Sequence, residues 1–544
     1  MIEFFDVSNW HLYIAIILSI VNGIIMCFMG YKFMQVIQLS GYHSRGYFEW
    51  LGGVGSWQLG RMGVVAFLST ACFWVADVIL GNYGDYLVYL GLLFYCFFSY
   101  LYIRSVHITP QKTPLKMTDR MYRAVVVMFV LGAISTFALV VIFSLALPLY
   151  GFGAITLTPM LVPVLVPFTH WMMSPVEGAF NRGFMVKAEH KLSQFPDLIK
   201  IGITGSFGKT STKNFLTTIL SEKYSVCATP ASFNTPLGVT RTILENLNVG
   251  HQVFIAEMGA RQTGDVKKLC EFVQPKYGVL TSIGAQHIAT FKSFENVKRT
   301  KRELPDYLAT NDGICVFNVD SEPVLELYEQ ATCKKVKVTV QSEADIWASD
   351  IITDTNGTTF KLHIGKDELK CNTKLLGVHN ISNLLSCVAI AKELGLTNEM
   401  IVAGIAKVQP VEHRLQLMQA DNSVTILDDT YNASIEGSKR ALEVLSLFKD
   451  RRKVVITSGL VELGTLQRLE NYNFGARIAE IANLVIIVNR TNFLSIKQGL
   501  LDAGFDSTKI YQVDNVVDAQ KLLKEVLQKN DVVLWENDLP DNYY

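Results

Sequence analysis

The chain has 544 residues with 49 basic and 49 acidic side chains, a formal net charge of zero. That length implies more than one domain, and the balanced charge leaves no basic footprint for nucleic acid. Half of the residues are hydrophobic, but residues 1–175 hold only 8 of the basic and 6 of the acidic side chains, so an apolar first third precedes a charged remainder.

Five apolar stretches lie in that first third, at roughly 11–31, 63–80, 86–103, 124–146 and 154–173. Each is long enough, or nearly so, to cross a bilayer as a helix. The first is too long, and too far from any basic n-region, for a cleaved signal peptide. The fifth, ITLTPMLVPVLVPFTHWMM, carries three prolines, and a re-entrant or interfacial course stays open for it. The segment MIEFFDVSNW has two acids and no base, and GNYGD has no base. The loop after the first stretch has Lys32, Arg45 and Arg61, and the loop after the third has Arg104, Lys112, Lys116, Arg120 and Arg123. Basic loops stay in the cytoplasm. The expectation is a multi-pass protein of a bacterial cytoplasmic membrane, N-terminus outside, with everything after residue 174 in the cytoplasm. Asp77, near the end of the second stretch, is a candidate intramembrane acid, with interfacial placement equally open. Nine cysteines (Cys27, Cys72, Cys96, Cys227, Cys270, Cys315, Cys333, Cys371 and Cys387) form no C-x-x-C pair, which argues against a disulfide framework or a zinc site.

Residues 176–195, VEGAFNRGFMVKAEHKLSQF, mix basic and spaced apolar residues and read as an amphipathic connector at the membrane surface or a linker helix. Next come a β-branched run, DLIKIGIT, a glycine turn, GSFGK, and a stretch with helical spacing, TSTKNFLTTIL. Strand, glycine turn and helix start are the setting of a phosphate-binding loop. The strict pattern G-x-x-x-x-G-K-[ST] fails, because Ile203 stands where its first glycine belongs. The candidate loop is Thr204, Gly205, Ser206, Gly208, Lys209, Thr210 and Ser211. Inward backbone amides and the helix N-terminus favour phosphate, Lys209 reaches the terminal phosphates, and Thr210 offers a hydroxyl to Mg²⁺.

Glu257 ends the apolar run QVFIAE, and a strand-end carboxylate beside such a loop suits Mg²⁺. His287 follows another apolar run, YGVLTSIGAQH. Beyond residue 410, SVTILDD, RKVVITSG and NLVIIVN alternate with helical stretches such as SKRALEVLSLF, the pattern of βαβ units.

The loop T-G-S-x-G-K-[ST] resembles that of the Mur ligases, the ATP-dependent ligases of peptidoglycan peptide assembly. Seven further segments resemble this family's motifs in order, and most of all its D-alanyl-D-alanine-adding branch. They are TPASFNTPLGVTRTIL (229–244), FIAEMGARQTGDV (254–266), VLTSIGAQHIATFKSFENVKRTKREL (279–304), GVHNISNLLSCVAIAKELG (377–395), EHRLQ (412–416), LDDTYNASIEG (427–437) and SGLVELG (458–464). The resemblance covers about 195–540. Ahead of it the apolar stretches are expected to form a helical membrane bundle (1–175), joined on by the connector (176–195). An α/β ATP-binding domain with a mostly parallel sheet (196–409) and a smaller Rossmann-like domain (410–544) follow.

The implied activity is acid–amino-acid ligation with release of ADP. A carboxylate attacks the γ-phosphate to give an acyl phosphate, and an amine then displaces phosphate. The implied cofactors are ATP and two Mg²⁺ ions, with Thr210 on the first, Glu257 bridging both, and His287 on the second. Lys301 matches a family lysine that carries a carbamate, and its neighbours Lys298 and Arg302 are expected to depress its pKa. His379, Asn380 and Asn383 are expected near the adenine, Arg414 on a phosphate after domain closure, Asp428 or Asp429 on the ribose, and Tyr431 and Asn432 beside the nucleotide.

The sequence departs from the family in three places. The UDP-sugar-binding N-terminal domain is absent, and the five apolar stretches stand in its place. The C-terminal K-G-S-R reads ENDLPD (536–541), and D-D-x-Y-N-A-N-P reads DDTYNASI, with Ser434 and Ile435 substituted. The implied partners are an amino acid or dipeptide amine and a carboxylate acceptor, which is either a lipid-linked glycan or a soluble UDP-sugar peptide. An ATPase-driven membrane transporter component is the open reading from another class.

Overall fold

A computed structural model of the chain describes residues 10–53, 55–80, 84–108, 113–146, 148–284, 288–420, 423–431 and 434–538. His287, Asn432 and the side chain of Asp77 lie outside that description. The chain divides between Phe180 and Asn181 into two compact units.

The first unit is helical. Among the described residues, five helical stretches are long and apolar enough to cross a membrane: Leu12–Met29, Ser56–Val75, Leu90–Ile108, Asp119–Leu145 and Phe152–Ser193. In the first four, only 22–33% of the apolar window is buried within the protein, so the apolar character faces outward too. Gly23 lets two helices approach closely: a Cβ there would lie 2.9 Å from the carbonyl oxygen of Phe129, the use small residues have in apolar helix packing. Beside it the Asn22 amide donates to the hydroxyls of Thr136 (2.8 Å) and Thr158 (3.0 Å) and accepts from Tyr95 (2.6 Å).

Three details differ from the sequence reading. The loop expected after the first stretch contains the helices Tyr31–Leu39 and Ser44–Gly52. Arg61, expected in that loop, lies inside the helix Ser56–Leu80. The proline-rich fifth stretch takes 3₁₀ geometry over Pro148–Leu161 and α geometry over Val162–Ser193. Pro167 has no N–H for the Pro163 carbonyl, and the Tyr47 hydroxyl fills that place at 2.6 Å, so Pro167 leaves no orphaned acceptor in the helix. Residues 176–193, the expected connector, continue this helix.

The second unit is α/β. Its larger sheet has nine strands: β1 (Ile199–Thr204), β2 (Val226–Ala228), β3 (Val253–Glu257), β4 (Tyr277–Leu280), β5 (Ile314–Asn318), β6 (Lys334–Thr339), β7 (Ile346–Asp354), β8 (Gly357–Ile364) and β9 (Asp367–Thr373). They lie in the order β2-β3-β1-β4-β5-β6-β7-β8-β9. Pairing is parallel from β2 to β7 and antiparallel for β8 and β9. All five residues of β3 are buried, as a parallel strand covered on both faces requires. Phe215, Leu216, Leu384 and Val388 belong to one apolar cluster, and Leu269, Leu304 and Leu308 to another.

The smaller sheet has β10 (Gln416–Gln419), β11 (Thr425–Asp429), β12 (Lys453–Thr457), β13 (Leu484–Val488), β14 (Ile510–Val513) and β15 (Val532–Glu536), in the order β10-β11-β15-β12-β13-β14. Only β10 pairs antiparallel. In both sheets the parallel strands bring their carboxyl ends to one edge, where open α/β sheets place ligands.

Candidate active site

Strand β1 delivers Thr204 to that edge, and residues 205–208 turn into the helix Lys209–Leu220. The turn needs glycine at two points. Gly208 has φ 80°, and a Cβ on it would sit 2.7 Å from Asn383 Oδ1. At Gly205 a Cβ would fall 2.0 Å from the Thr281 hydroxyl. The loop is tied down by Ser206 N–H donating to the Ser282 carbonyl (2.6 Å) and Thr281 Oγ1 donating to the Phe207 carbonyl (2.6 Å). Lys209 folds back, its ammonium donating to the carbonyls of Gly205 (2.7 Å) and Ser206 (2.8 Å). Burial lowers its pKa to about 8, against the pull of Glu257 and with the push of Arg414.

Glu257 ends β3 one strand away and is 1% exposed. Its Oε1 accepts from Thr210 Oγ1 and Asn234 Nδ2, both at 3.2 Å, and its Oε2 accepts from Lys213 Nζ at 3.1 Å. A hydroxyl and a carboxylate side by side under a glycine cradle form a hard-oxygen set that fits a Mg²⁺–phosphate pair. Thr210 and Glu257 would hold the ion, and the loop amides the phosphates.

Lys301, on the helix Phe294–Thr310, enters the same cleft and is 3% exposed. Its amine donates to Thr204 Oγ1 at 3.5 Å. Its pKa is lowered to about 7, by burial first and Lys209 second. The cause differs from the expected one. Arg302, one place along the helix, points off the buried face and pairs with Asp306 (3.2 Å), while Lys298, one turn back, is held by Glu326 (2.6 Å) and Glu295 (3.4 Å).

The sign of the resulting pH dependence follows. Between pH 7 and 10.5 the folded chain binds fewer protons at Lys301 than the unfolded chain does, so stability rises with pH across that window. Lys209 adds the same sign above pH 8. In metal-free protein the thermal midpoint is expected to climb from pH 7 to 9, and Lys301→Met to flatten that climb.

His379, Asn380 and Asn383 share the helix Val378–Glu393, as expected. Asn383 lies against the loop at Gly208, Asn380 Nδ2 donates to the Leu376 carbonyl (2.9 Å), and burial with Arg440 nearby brings His379 down to about 3. Arg414 comes from the segment before β10, with its guanidinium 4.4 Å from the Tyr431 ring centre and close enough to act on Lys209, Lys213 and Asp429. Asp428 is engaged by its own loop, accepting from His413 Nδ1 (2.6 Å) and Thr430 Oγ1 (2.6 Å). Asp429 accepts from the Leu415 amide (3.2 Å) and is raised to about 7, chiefly by burial. In the sheet register it stands beside Glu536.

The sequence reading did not single out Lys213, Asn234 or Glu536. Lys213 carried a signal, lying one helical turn after Lys209 and so on the same face. Asn234 reaches Glu257 across a loop and left no such trace.

Known proteins resemble the second unit in sequence and fold. The Mur ligase middle domain matches residues 203–391, and the Mur ligase glutamate ligase domain matches residues 413–536. UDP-N-acetylmuramoyl-tripeptide–D-alanyl-D-alanine ligase of Mycobacterium tuberculosis is 30% identical over 356 residues, covering 61% of this chain and 69% of the relative. The Escherichia coli protein of that name is 27% identical over 333 residues, covering 60% and 73%. A crystal structure of MurF from Acinetobacter baumannii superposes with a TM-score of 0.59 at 26% identity, covering 66% and 77% of the two chains. MurF from Thermotoga maritima, solved in complex with ADP, shares the fold with a TM-score of 0.58, covering 66% and 80%.

Proposed function

The chain belongs to the Mur ligase family, and on that premise we propose that it joins D-alanyl-D-alanine to UDP-N-acetylmuramoyl-tripeptide at the inner face of a bacterial membrane. Its class is that of an ATP-dependent, ADP-forming amide ligase. One observation carries the reading: Lys209, Thr210, Glu257 and Lys301 share the carboxyl edge of the larger sheet, and Arg414 of the adjoining segment acts on the first of them. When bound, Mg²⁺ neutralises phosphate charge for the transfer. Thr210 and Glu257 would hold one ion, and Lys301, as its carbamate, would hold a second together with His287, which lies outside the described residues. Lys209 would exchange its two loop carbonyls for phosphate oxygens, Arg414 would complete the cation set and Tyr431 would lie beside the nucleotide, with Asn432, outside the described residues, expected to join it. The acid is activated as an acyl phosphate, and the amine nitrogen displaces phosphate, losing a proton. Charge neutralisation and alignment supply most of the acceleration.

The layout in this reading is a membrane bundle over 1–175, a connector over 176–195, the ATP-binding domain over 196–409 and a closing domain over 410–544. The basic loops support an outside N-terminus and a cytoplasmic catalytic part. The five apolar helical stretches favour a second reading of the acid, as a carboxylate on a lipid-linked glycan. One assay separates the two. In detergent with Mg²⁺ and bicarbonate, phosphate release is expected only when the tripeptide precursor and D-alanyl-D-alanine are both present, with Lys209→Ala as the blank. No release from protein that still binds ATP would transfer the assignment to the lipid-linked acid.

A further inference from the structure

Lys213 is an ammonium in this cleft to which the sequence reading gave no role. It is 1% exposed, as is its partner Glu257. Besides bonding Glu257 Oε2, its Nζ donates to the carbonyl of Ala231. Ala231 sits at φ 43°, a conformation that an alanine holds only where its surroundings impose it. The loop of Ala231 also carries Asn234 to Oε1 of the same glutamate. One side chain therefore joins the loop helix, the end of β3 and a strained turn.

A buried ion pair seldom stabilises a protein more than an apolar pair of the same size, so packing alone does not account for a lysine here. Three donors surround Glu257, Thr210 and Asn234 on Oε1 and Lys213 on Oε2, and of these only Lys213 carries the charge that competes with a cation. The inference rests on the reading of Glu257 as the Mg²⁺ ligand and adds the group that stands in for the ion. We propose that Lys213 is a positioning residue that keeps Glu257 aimed at the loop when no metal is bound, and that a divalent cation binds there by exchange against the Lys213 ammonium.

The test uses the full-length chain in detergent and Mn²⁺ alone, followed by the loss of the free-ion paramagnetic resonance signal. Lys213→Met removes the competing charge and is expected to tighten Mn²⁺ binding at least tenfold. In a Glu257→Gln background the same change is expected to do nothing. The double variant K213M/E257Q leaves no buried charge unpaired, so it is expected to keep the fold even where a single variant is marginal. A merely structural lysine would lower the thermal midpoint and leave Mn²⁺ affinity alone. Unchanged, weaker or absent Mn²⁺ binding in K213M, or a tightening that persists in E257Q, overturns the exchange. If E257Q binds Mn²⁺ as the wild type does, the ligand assignment of Glu257 itself fails. That outcome is distinct from a failure of ligation in the phosphate-release assay.

Discussion

Lys209→Ala is expected to cut ATP turnover by about 10²–10³-fold, the usual cost of deleting one preorganised charge at a transferring phosphoryl group, while the fold survives. The ammonium rests on the Gly205 and Ser206 carbonyls at 2.7 and 2.8 Å, within a loop that Ser282 and Thr281 also secure. Its removal therefore frees two acceptors at the mouth of the cleft and leaves the cradle closed. The pairing of readouts matters. Single-turnover phosphate release should collapse, while circular dichroism and the melting curve stay near wild type. A variant that keeps more than a tenth of wild-type turnover would remove Lys209 from the chemistry.

Lys301→Met should move stability and activity in opposite directions. The amine is buried, holds one long hydrogen bond to Thr204, and has another ammonium nearby. Burying a polar group so poorly satisfied costs about 1–3 kcal/mol, and methionine fills the same volume without that cost. The melting temperature should therefore rise by a few degrees, and its dependence on pH between 7 and 9 should weaken. Turnover should fall at least about 10²-fold, because a charge-bearing group of the phosphoryl-transfer site is gone. A stabilised but active variant would make Lys301 a packing residue, and a destabilised inactive one would mean that its burial is supported by contacts other than Thr204. The retention of a costly group where catalysis needs it is the familiar conflict between stability and function.

Much of this was legible beforehand, for physical reasons that differ by element. The loop at 204–211 announced itself because strand, glycine and helix start impose three different local constraints on adjacent residues. Glu257 was readable as the polar end of a fully apolar strand. The helices Tyr31–Leu39 and Ser44–Gly52 were not read because YKFMQVIQL and SRGYFEWLG are too short and too mixed to stand out as spans. The prolines at 163 and 167 obscured a continuous helix, since the hydroxyl that rescues it comes from Tyr47, far away in sequence. The depressed pKa of Lys301 was expected from its sequence neighbours. Its actual cause is burial against Thr204 and Lys209, a property of tertiary packing that spacing along one helix does not encode.

The place of β15 between β11 and β12 has a temporal meaning. It follows all of its sheet partners in the chain, yet Leu427, Val455 and Leu534 form one buried cluster around it. Until residues 532–536 have left the ribosome, β11 and β12 have no shared neighbour, and Arg414 and Asp429 lack the finished sheet that sets their place. The order of the chain thus works as a safety catch: the nucleotide loop of the larger sheet comes first, and the segment carrying Arg414 settles only once β15 has followed it into the smaller sheet.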